Sequence, residues 1–184
     1  MITDAEILNE LGTFTDHEAE LFSRYRHNRS FARGERIVGP GSLPQSIYFL
    51  KRGAVMQYQQ VNDRQRQYEN LFAKRGWFFD HGIFKPQTPV LGVTQAFTDC
   101  EVVELTLNSL HQLINASPAF LALNKIFYPV TERLNFLSAT YSPAEKYGML
   151  IRSQPEIVRT FPLKAIASYL RISPETLSRV RAKA

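Results

Sequence analysis

Seven of the nine glycines lie between Gly34 and Gly92, in a stretch where short apolar runs alternate with turn signals. The runs are 47–50, 54–58, 67–72, 90–97 and 101–105. Runs of this length, bounded by Gly, Asn and Asp, are typical of β-strands joined by tight turns. Residues 28–107 are therefore predicted to form a small antiparallel sandwich or barrel.

Helical patterns flank this stretch on both sides. Before it, residues 3–27 are predicted to be helical, because Thr15 and Glu18 have the spacing of a capping box. After it, Ser142 begins a Ser-Pro-Ala-Glu sequence that predicts the start of another helix.

Large apolar side chains recur at alternate steps of three and four residues over 117–141. This is the heptad spacing by which two helices pack along a seam, and the seam residues are Phe120, Leu123, Phe127, Val130, Leu134, Leu137 and Tyr141. We predict a homodimer through this helix, with Leu121, Ile126 and Phe136 packing on the chain's own strands. The alternative is a helix that packs entirely on its own β-domain. Pro129 is expected to kink the helix or to start a second one.

Two brief helices are predicted at 163–170 and 174–183, joined by the turn Arg171-Ile-Ser173. Their apolar residues would share one small core, formed by Ile166, Ala167, Leu170, Ile172, Leu177 and Val180. Ser173 is placed to cap the second helix, and Pro174 suits its first position. Two short helices that pack in this way predict a helix-turn-helix.

The outer face of the second helix carries side chains suited to DNA. At about 100° per residue, Glu175, Ser178 and Arg179 lie opposite the apolar side. Arg and Glu pair with guanine and cytosine edges in the major groove, so we assign these three residues to base reading. Contacts to phosphates, which position a protein without reading sequence, are assigned to Ser173, Thr176, Arg181 and Lys183. The alternative is an ordinary helical hairpin with a charged exterior.

The net charge of +5 is confined to the C-terminal end. Residues 159–184 hold six basic side chains and one acidic side chain, whereas basic and acidic residues cancel in the rest of the chain. A basic end on a neutral body predicts an anionic partner, with nucleic acid as the first candidate. The alternative is a solvated tail that only aids solubility.

The segment from Ile166 to Arg179, Ile-Ala-Ser-Tyr-Leu-Arg-Ile-Ser-Pro-Glu-Thr-Leu-Ser-Arg, resembles the helix-turn-helix of the Crp/Fnr transcriptional regulators, in the short form common in Bacteroidetes. The resemblance covers nearly the whole chain and implies an α+β fold. It implies an effector domain at 1–116, which is an antiparallel β-roll of the double-stranded β-helix or jelly-roll type with flanking helices. A long dimerisation helix at 117–141 and a small DNA-binding domain at 142–184 would follow.

The same resemblance implies partners. It implies a homodimer that reads a palindromic operator in double-stranded DNA with Glu175 and Arg179, and it makes RNA polymerase a further candidate partner. Two departures bear on this function. Arg171 stands where the family often has a turn glycine, and a non-Gly residue in the left-handed conformation costs about 1 kcal/mol. The chain also ends at Ala184 without the family's β-hairpin wing, so we expect weaker DNA affinity.

The resemblance also locates an effector pocket, at Phe79, Asp80, His81, Val90 and Leu91. Cyclic-nucleotide-binding relatives hold the phosphate with an Arg followed by Ser or Thr, and Val90 and Leu91 stand at those positions here. An aliphatic pair cannot neutralise a buried phosphate, so cAMP binding is not expected unless Lys85 or Arg75 substitutes. Another small ligand, a protein contact and a filled core all stay open. The alternative function is a small-molecule or protein-sensing β-roll module whose helix-turn-helix is vestigial.

Composition argues against several other classes of protein. The single cysteine, Cys100, excludes an internal disulfide framework and a Cys-rich metal site, and we expect it to be a buried small hydrophobe. A cupin-like metalloenzyme needs several converging His and carboxylate ligands, but only His81 and His111 lie near the right region. No apolar run reaches the roughly 18 residues of a membrane span, and the N-terminus does not resemble a signal peptide. We expect a cytoplasmic regulator that is not an enzyme, without metal, catalytic residues or cofactor.

Overall fold

The computed structural model describes residues 2–62, 65–84, 88–127 and 140–183. Within these ranges, eight strands form two four-stranded antiparallel sheets. The first sheet contains, in order across it, β1 (His27–Phe31), β8 (Cys100–Thr106), β3 (Ser46–Arg52) and β6 (Gly76–Phe79). The second contains β2 (Arg36–Val38), β7 (Val93–Ala96), β4 (Val55–Asn62) and β5 (Gln65–Phe72). The predicted antiparallel β-roll in an α+β chain is confirmed.

The two sheets share a core, to which Leu50 and Phe78 contribute from the first sheet and Val55 and Ala96 from the second. Strands β5 and β6 follow one another in the chain, and each is the last strand of its sheet. The flank of the sandwich between β5 and β6 is therefore not closed by strand pairing in the part of the chain described here.

Three helices cover the outer face of the first sheet: α1 (Asp4–Asn9), α2 (Asp16–Tyr25) and α3 (Leu107–Ala116). The capping box predicted at the start of α2 is confirmed. The Glu18 N–H donates to Thr15 Oγ1 at 3.3 Å, and the Thr15 N–H donates to Glu18 Oε2 at 2.7 Å. These bonds satisfy backbone donors that a helix start leaves free.

The segment Pro118–Phe127 is a 3₁₀-helix and not part of the α-helix predicted over 117–141. A 3₁₀-helix has about three residues per turn, which places Phe120, Leu123 and Ile126 on one face. All three are buried in the core formed with α1, α2 and α3. The prediction that Phe120 and Leu123 face a second copy of the chain is therefore wrong, because their own chain covers them. Leu121, which was expected to pack inward, is 52% exposed.

The other seam residues have different positions. Phe127 is partly buried, and its ring lies 4.9 Å from the Phe79 ring in an edge contact. Tyr141 is exposed. The remaining seam residues and the two neighbours discussed with them lie outside the described ranges, so the seam stays a prediction at Val130, Leu134 and Leu137, as do the roles of Pro129 and Phe136.

Four helices make up the C-terminal part: α4 (Pro143–Ser153), α5 (Pro155–Thr160), α6 (Leu163–Tyr169) and α7 (Pro174–Arg181). The start of α4 is the predicted one, since the Glu145 N–H donates to Ser142 Oγ at 3.3 Å and the Ser142 N–H donates to Glu145 Oε2 at 2.8 Å. The two short helices predicted near the C-terminus are present as α6 and α7. Among the helices described, none is both long and apolar enough to cross a lipid bilayer.

The C-terminal helices pack against the outer face of the second sheet. One hydrophobic core contains Tyr58 and Leu71 of the sheet together with Ile166 and Leu170 of the helical part. Helix α6 lies against β5, and a helix placed in this way covers the unpaired backbone groups of an edge strand. The core therefore continues across residue 142, where the sequence predicted a domain boundary.

Candidate nucleic-acid interface and effector cavity

The turn between α6 and α7 fixes how these two helices meet. Arg171 has a φ of 56°, and it is the one non-Gly residue with positive φ in the described ranges. Its N–H donates to the Ser168 carbonyl at 3.0 Å, and the Ile172 N–H donates to the Ala167 carbonyl at 3.0 Å. These two bonds form a Schellman motif, which ends a helix with a left-handed residue. Arg171 thus takes the conformation for which this position favours glycine.

Ser173 caps α7, as the sequence predicted. Its Oγ accepts a hydrogen bond from the Thr176 N–H at 3.1 Å, and its hydroxyl donates to Thr176 Oγ1 at 3.1 Å. Pro174 occupies the first turn, where a missing N–H costs nothing. Only Ile172 separates the left-handed residue from the cap, so α7 starts in a fixed orientation relative to α6.

The outer face of α7 is open to solvent. Glu175, Ser178 and Arg179 are exposed, whereas Leu177 on the opposite side is fully buried. The Arg179 guanidinium donates to Thr176 Oγ1 at 3.4 Å. Three of the four predicted phosphate contacts are likewise exposed, namely Ser173, Arg181 and Lys183, and Thr176 is half-buried. The structure thus brings the three predicted base-reading residues together on one accessible face.

The carboxyl group of Glu175 is held in its ionised form. A hydrogen bond from its own backbone N–H lowers its pKa below the ordinary value, and the positive charges of Arg179 and Lys164 lower it further. An ionised carboxylate accepts hydrogen bonds and donates none. At neutral pH, Glu175 therefore offers an acceptor that suits an amino group such as cytosine N4.

A cavity of about 970 Å³ lies on the flank of the sandwich between β5 and β6. Four of the five residues predicted for the effector pocket line it: Phe79, Asp80, Val90 and Leu91. Phe79 and Val90 are buried, whereas Leu91 is 81% exposed and so lies at the mouth. The fifth, His81, belongs to a short 3₁₀-helix (His81–Phe84), and its side chain is outside the described part of the chain.

Two buried amides also line the cavity, and the sequence analysis did not single them out. Gln57 Nε2 donates to the Phe79 carbonyl at 2.9 Å and to Thr94 Oγ1 at 3.2 Å. Gln57 Oε1 accepts from Asn70 Nδ2 at 2.5 Å. Gln57 is 4% exposed and Asn70 is 8% exposed. The signal available in the sequence was a polar residue next to an apolar one in each of the two strands. A polar side chain that is buried in this way is normally held by hydrogen-bond partners.

The cationic side chains of the cavity lie on its solvent side. Lys74, Arg75 and Arg171 are exposed, and Arg75 Nε donates to the Lys51 carbonyl at 3.4 Å. No Lys or Arg is buried among the described residues that line the cavity. Its deep part therefore offers no cation to a phosphate, whose burial without a partner is costly. Lys85, the other candidate substitute, lies outside the described ranges.

The structure also places the residues that the sequence connected with metal or redox chemistry. Cys100 is 3% exposed in the core between the sheets, as predicted, and burial raises the pKa of its thiol to about 11. The thiol is therefore protonated at neutral pH and a poor nucleophile. Asp80 Oδ1 accepts a hydrogen bond from the Gly82 N–H at 2.8 Å. Over the residues that the structure describes, no group of three His, Cys, Asp or Glu side chains could hold a metal ion.

Residues 28–117 match the family model of the cyclic nucleotide-binding domain. The match spans the β-roll from β1 to β8 and helix α3. This part of the chain is therefore similar to that domain family. No curated protein matches the sequence significantly.

Solved structures of bacterial regulators share the fold over most of the chain. The catabolite activator protein of Thermus thermophilus matches with a TM-score of 0.54 at 20% identity, covering 92% of this chain and 83% of that one. FixK2 from Bradyrhizobium japonicum matches with a TM-score of 0.65 at 17% identity, covering 86% and 83%. The c-di-GMP responsive global regulator CLP of Xanthomonas campestris matches with a TM-score of 0.61 at 18% identity, covering 92% and 91%. The chain thus has the fold of these regulators, and the resemblance to them is confirmed.

Proposed function

We propose that this chain is a sequence-specific, DNA-binding transcriptional regulator of the Crp/Fnr type, and that it is not an enzyme. The observation that carries the proposal is the exposed outer face of α7. Glu175, Ser178 and Arg179 stand there together, on a helix whose start is fixed by a cap and by the turn before it. An exposed polar face of this size, on a short helix held rigidly by its neighbour, suits insertion into the major groove.

The charges on this face divide into two roles. Arg179 presents a guanidinium that can pair with guanine O6 and N7, and Glu175 presents a carboxylate that can accept from cytosine N4. Arg181 and Lys183 lie beyond them toward the end of α7, where they would contact phosphates and supply salt-dependent affinity. Ser173 and Thr176 are bonded to each other at the cap, so their proposed phosphate contacts would involve the same hydroxyls that hold the helix start.

We propose that the regulator acts as a homodimer on a palindromic operator. Two copies of α7 would enter successive major grooves about 34 Å apart. Leu121 and Tyr141 are large exposed apolar side chains on either side of residues 128–139, and they support a self-association surface in this region. We retain the division into effector (1–116), dimerisation (117–141) and DNA-binding (142–184) parts, without Phe120 and Leu123 in the dimer contact, because their own chain buries them. Action on DNA implies a place in the cytoplasm, with RNA polymerase as a further candidate partner.

The effector cavity is proposed not to bind cyclic AMP. Support comes from the cavity itself, because Val90 and Leu91 stand at the positions expected for the phosphate clamp and the three described cations are exposed. A titration of the purified chain with cyclic AMP, followed by calorimetry, tests this point. Saturable binding in the micromolar range would contradict it.

The test of the function is selection of bound sequences from a random duplex pool at two salt concentrations. We expect a palindrome to be recovered and affinity for it to fall steeply with salt, because phosphate contacts release counterions. The selection is repeated with Arg179→Ala and with Arg24→Ala, which removes an exposed arginine of α2. The palindrome should be altered only by Arg179→Ala.

Weak binding without sequence preference would contradict the regulator function. It would instead favour a β-roll sensing module whose helix-turn-helix is vestigial. Loss of selection in both variants would show that the arginines act through general charge and not through base reading.

A further inference from the structure

A groove of about 420 Å³ lies between α4 and α7. It shares no described lining residue with the larger cavity on the flank of the β-roll. The two helices are in contact, and they bury Leu150 of α4 and Leu177 of α7 in one core. The packing of α4 on α7 therefore fixes the two walls of the groove.

Each wall of the groove is a stripe of residues spaced three and four apart, which lie on one side of a helix. The stripe of α4 and the stripe that runs from α7 to the residue after its C-cap consist of Ala144, Tyr147, Gly148 and Ile151, and of Thr176, Arg179, Val180 and Lys183. Both stripes run for about two turns, or about 10 Å. A groove between two such stripes suits a third helix that lays its apolar side into it.

The floor of the groove is apolar. Tyr147 is 5% exposed, Val180 is half-buried, and Ile151 is 38% exposed. Ala144 and Gly148 are small, so they leave room between these side chains for the side chains of a partner. A helix in the groove would remove the exposed part of Ile151 from water, which favours binding.

The wall formed by α7 is positively charged. Arg179 and Lys183 are both exposed, and no Asp or Glu is among the described residues that line the groove. Cations beside an apolar floor are complementary to a helix with acidic residues next to its apolar side. A nucleic acid suits this groove poorly, because its phosphates would lose water against apolar side chains.

Arg179 belongs both to this groove and to the base-reading face of α7. An acidic helix in the groove would pair with the Arg179 guanidinium and with the Lys183 ammonium group. Arg179 would then be unavailable to guanine, and Lys183 to a phosphate. A partner of this kind therefore competes directly with DNA.

We propose that the groove between α4 and α7 binds an acidic amphipathic helix of another protein, and that this helix and DNA exclude one another. The docking part of the proposal stands on the groove alone, and the exclusion rests on the proposed function. The partner is defined by apolar residues at i, i+3, i+4 and i+7, flanked by Glu or Asp.

Docking is tested on the full chain by fluorescence anisotropy with a labelled synthetic peptide of about 15 residues, long enough for four turns. It carries Leu at i, i+3, i+4 and i+7 and flanking Glu residues, and a hydrocarbon staple on its outer face holds it helical. One comparison peptide has Lys in place of Glu, and another has the same composition in scrambled order. We expect the acidic helix to bind about tenfold or more tightly than either. Equal affinity for any two of them, or no binding, would overturn the proposal.

The charged wall is tested with Lys183→Glu. The matched control is Lys164→Glu, which makes the same change of charge at an exposed residue of α6 outside the groove. We expect Lys183→Glu to weaken binding of the acidic peptide about fivefold or more and to strengthen binding of the basic peptide, because the pairing is reversed. The gain for the basic peptide also shows that the variant is folded. Equal effects of the two variants would overturn the assignment of Lys183.

The apolar floor is tested with Ile151→Ser, and Val61→Ser is the control at an exposed valine of β4. We expect about a fivefold loss of peptide affinity from Ile151→Ser and none from Val61→Ser. Sedimentation of both variants tests the other occupant, a second copy of this chain. A dimer that Ile151→Ser dissociates, without peptide binding to the native chain, would assign the groove to self-association and overturn the proposal.

Exclusion is tested by measuring operator affinity with and without the acidic peptide. We expect the peptide to displace the operator from the native chain, and Ile151→Ser to bind the operator but to resist displacement. Simultaneous binding of peptide and operator would overturn the exclusion. Absence of operator binding in every condition would refute the proposed function instead, while the peptide measurements would still decide the docking site.

Discussion

The backbone N–H of Tyr68, on the edge strand β5, donates a hydrogen bond to the hydroxyl oxygen of Ser168, on helix α6, at 2.9 Å. Around this bond, Tyr58, Tyr169 and Leu170 are buried in one core. The bond and the core attach the helix pair to the β-roll directly. The position of α7 is therefore set by packing on a strand and does not depend only on the chain segment that precedes it.

Replacing Ser168 with alanine is expected to lower the free energy of unfolding by about 1–2 kcal/mol, because the Tyr68 N–H would lose its acceptor in a partly buried place. Urea unfolding measures the change. Ser30→Ala, which removes an exposed hydroxyl on β1, should alter stability by less than about 0.5 kcal/mol. Equal losses in the two variants would show that the attachment does not depend on this bond.

Arg171→Gly is expected to raise the free energy of unfolding by about 1 kcal/mol, because glycine adopts the left-handed conformation at φ 56° without steric cost. Arg171→Ala keeps the strain and removes the same side chain, so it should give no such gain. The two variants are compared by urea unfolding. A gain of equal size from alanine would show that the arginine side chain, and not the backbone, is the source of the cost.

Arg179→Ala is expected to reduce affinity for the selected operator by about 1–3 kcal/mol and to relax specificity at one base pair, because Arg179 lies on the exposed base-reading face. Arg181→Ala should instead weaken binding evenly across sequences and lower the salt slope by about one. Fluorescence anisotropy on operator variants measures both effects. An even loss on all sequences with Arg179→Ala would contradict its assignment to a base.

Stability is expected to fall at alkaline pH because of Cys100. Burial raises the thiol pKa from an ordinary 9.0 to about 11 in the folded chain. The folded state thus keeps a proton that the unfolded state loses, so this contribution is present below pH 9 and is lost as the pH rises toward 11. The stability advantage of the native chain over Cys100→Ala should shrink as the pH rises from 9.0 to about 11. A constant difference across that range would contradict the raised pKa.

Local patterns were sufficient to predict five of the eight described strands and the helix starts at Thr15 and Ser142. Thr15 with Glu18, and Ser142 with Glu145, determine helix starts through residues only three positions apart. The segment after α3 could not be decided in this way. Phe120 and Leu123 fit both a heptad and a 3₁₀-helix. The next residue on the same face would be Phe127 in the heptad and Ile126 in the 3₁₀-helix. Both residues are apolar, so packing against α1 and α2 decided between them.

The candidate site was likewise predictable from the sequence only in part. The outer face of α7 was predictable, because Ser173 and the spacing of Leu177 and Val180 define it within one short segment. The pair of Gln57 and Asn70 was not, since their contact depends on the pairing of β4 with β5. The apolar residues of α6 were assigned to the helix pair alone, although they also cover β5.

The helices of residues 142–184 cover the edge of β5, and this cover protects the β-roll from aggregation. Without residues 142–184, β5 would present free backbone groups beside apolar side chains such as Leu71, which are now hidden. A bare strand edge recruits strands from other molecules and starts aggregation. The helices of residues 142–184 therefore protect the edge of β5 from pairing with strands of other molecules. They would keep this protective role even in a chain that did not bind DNA.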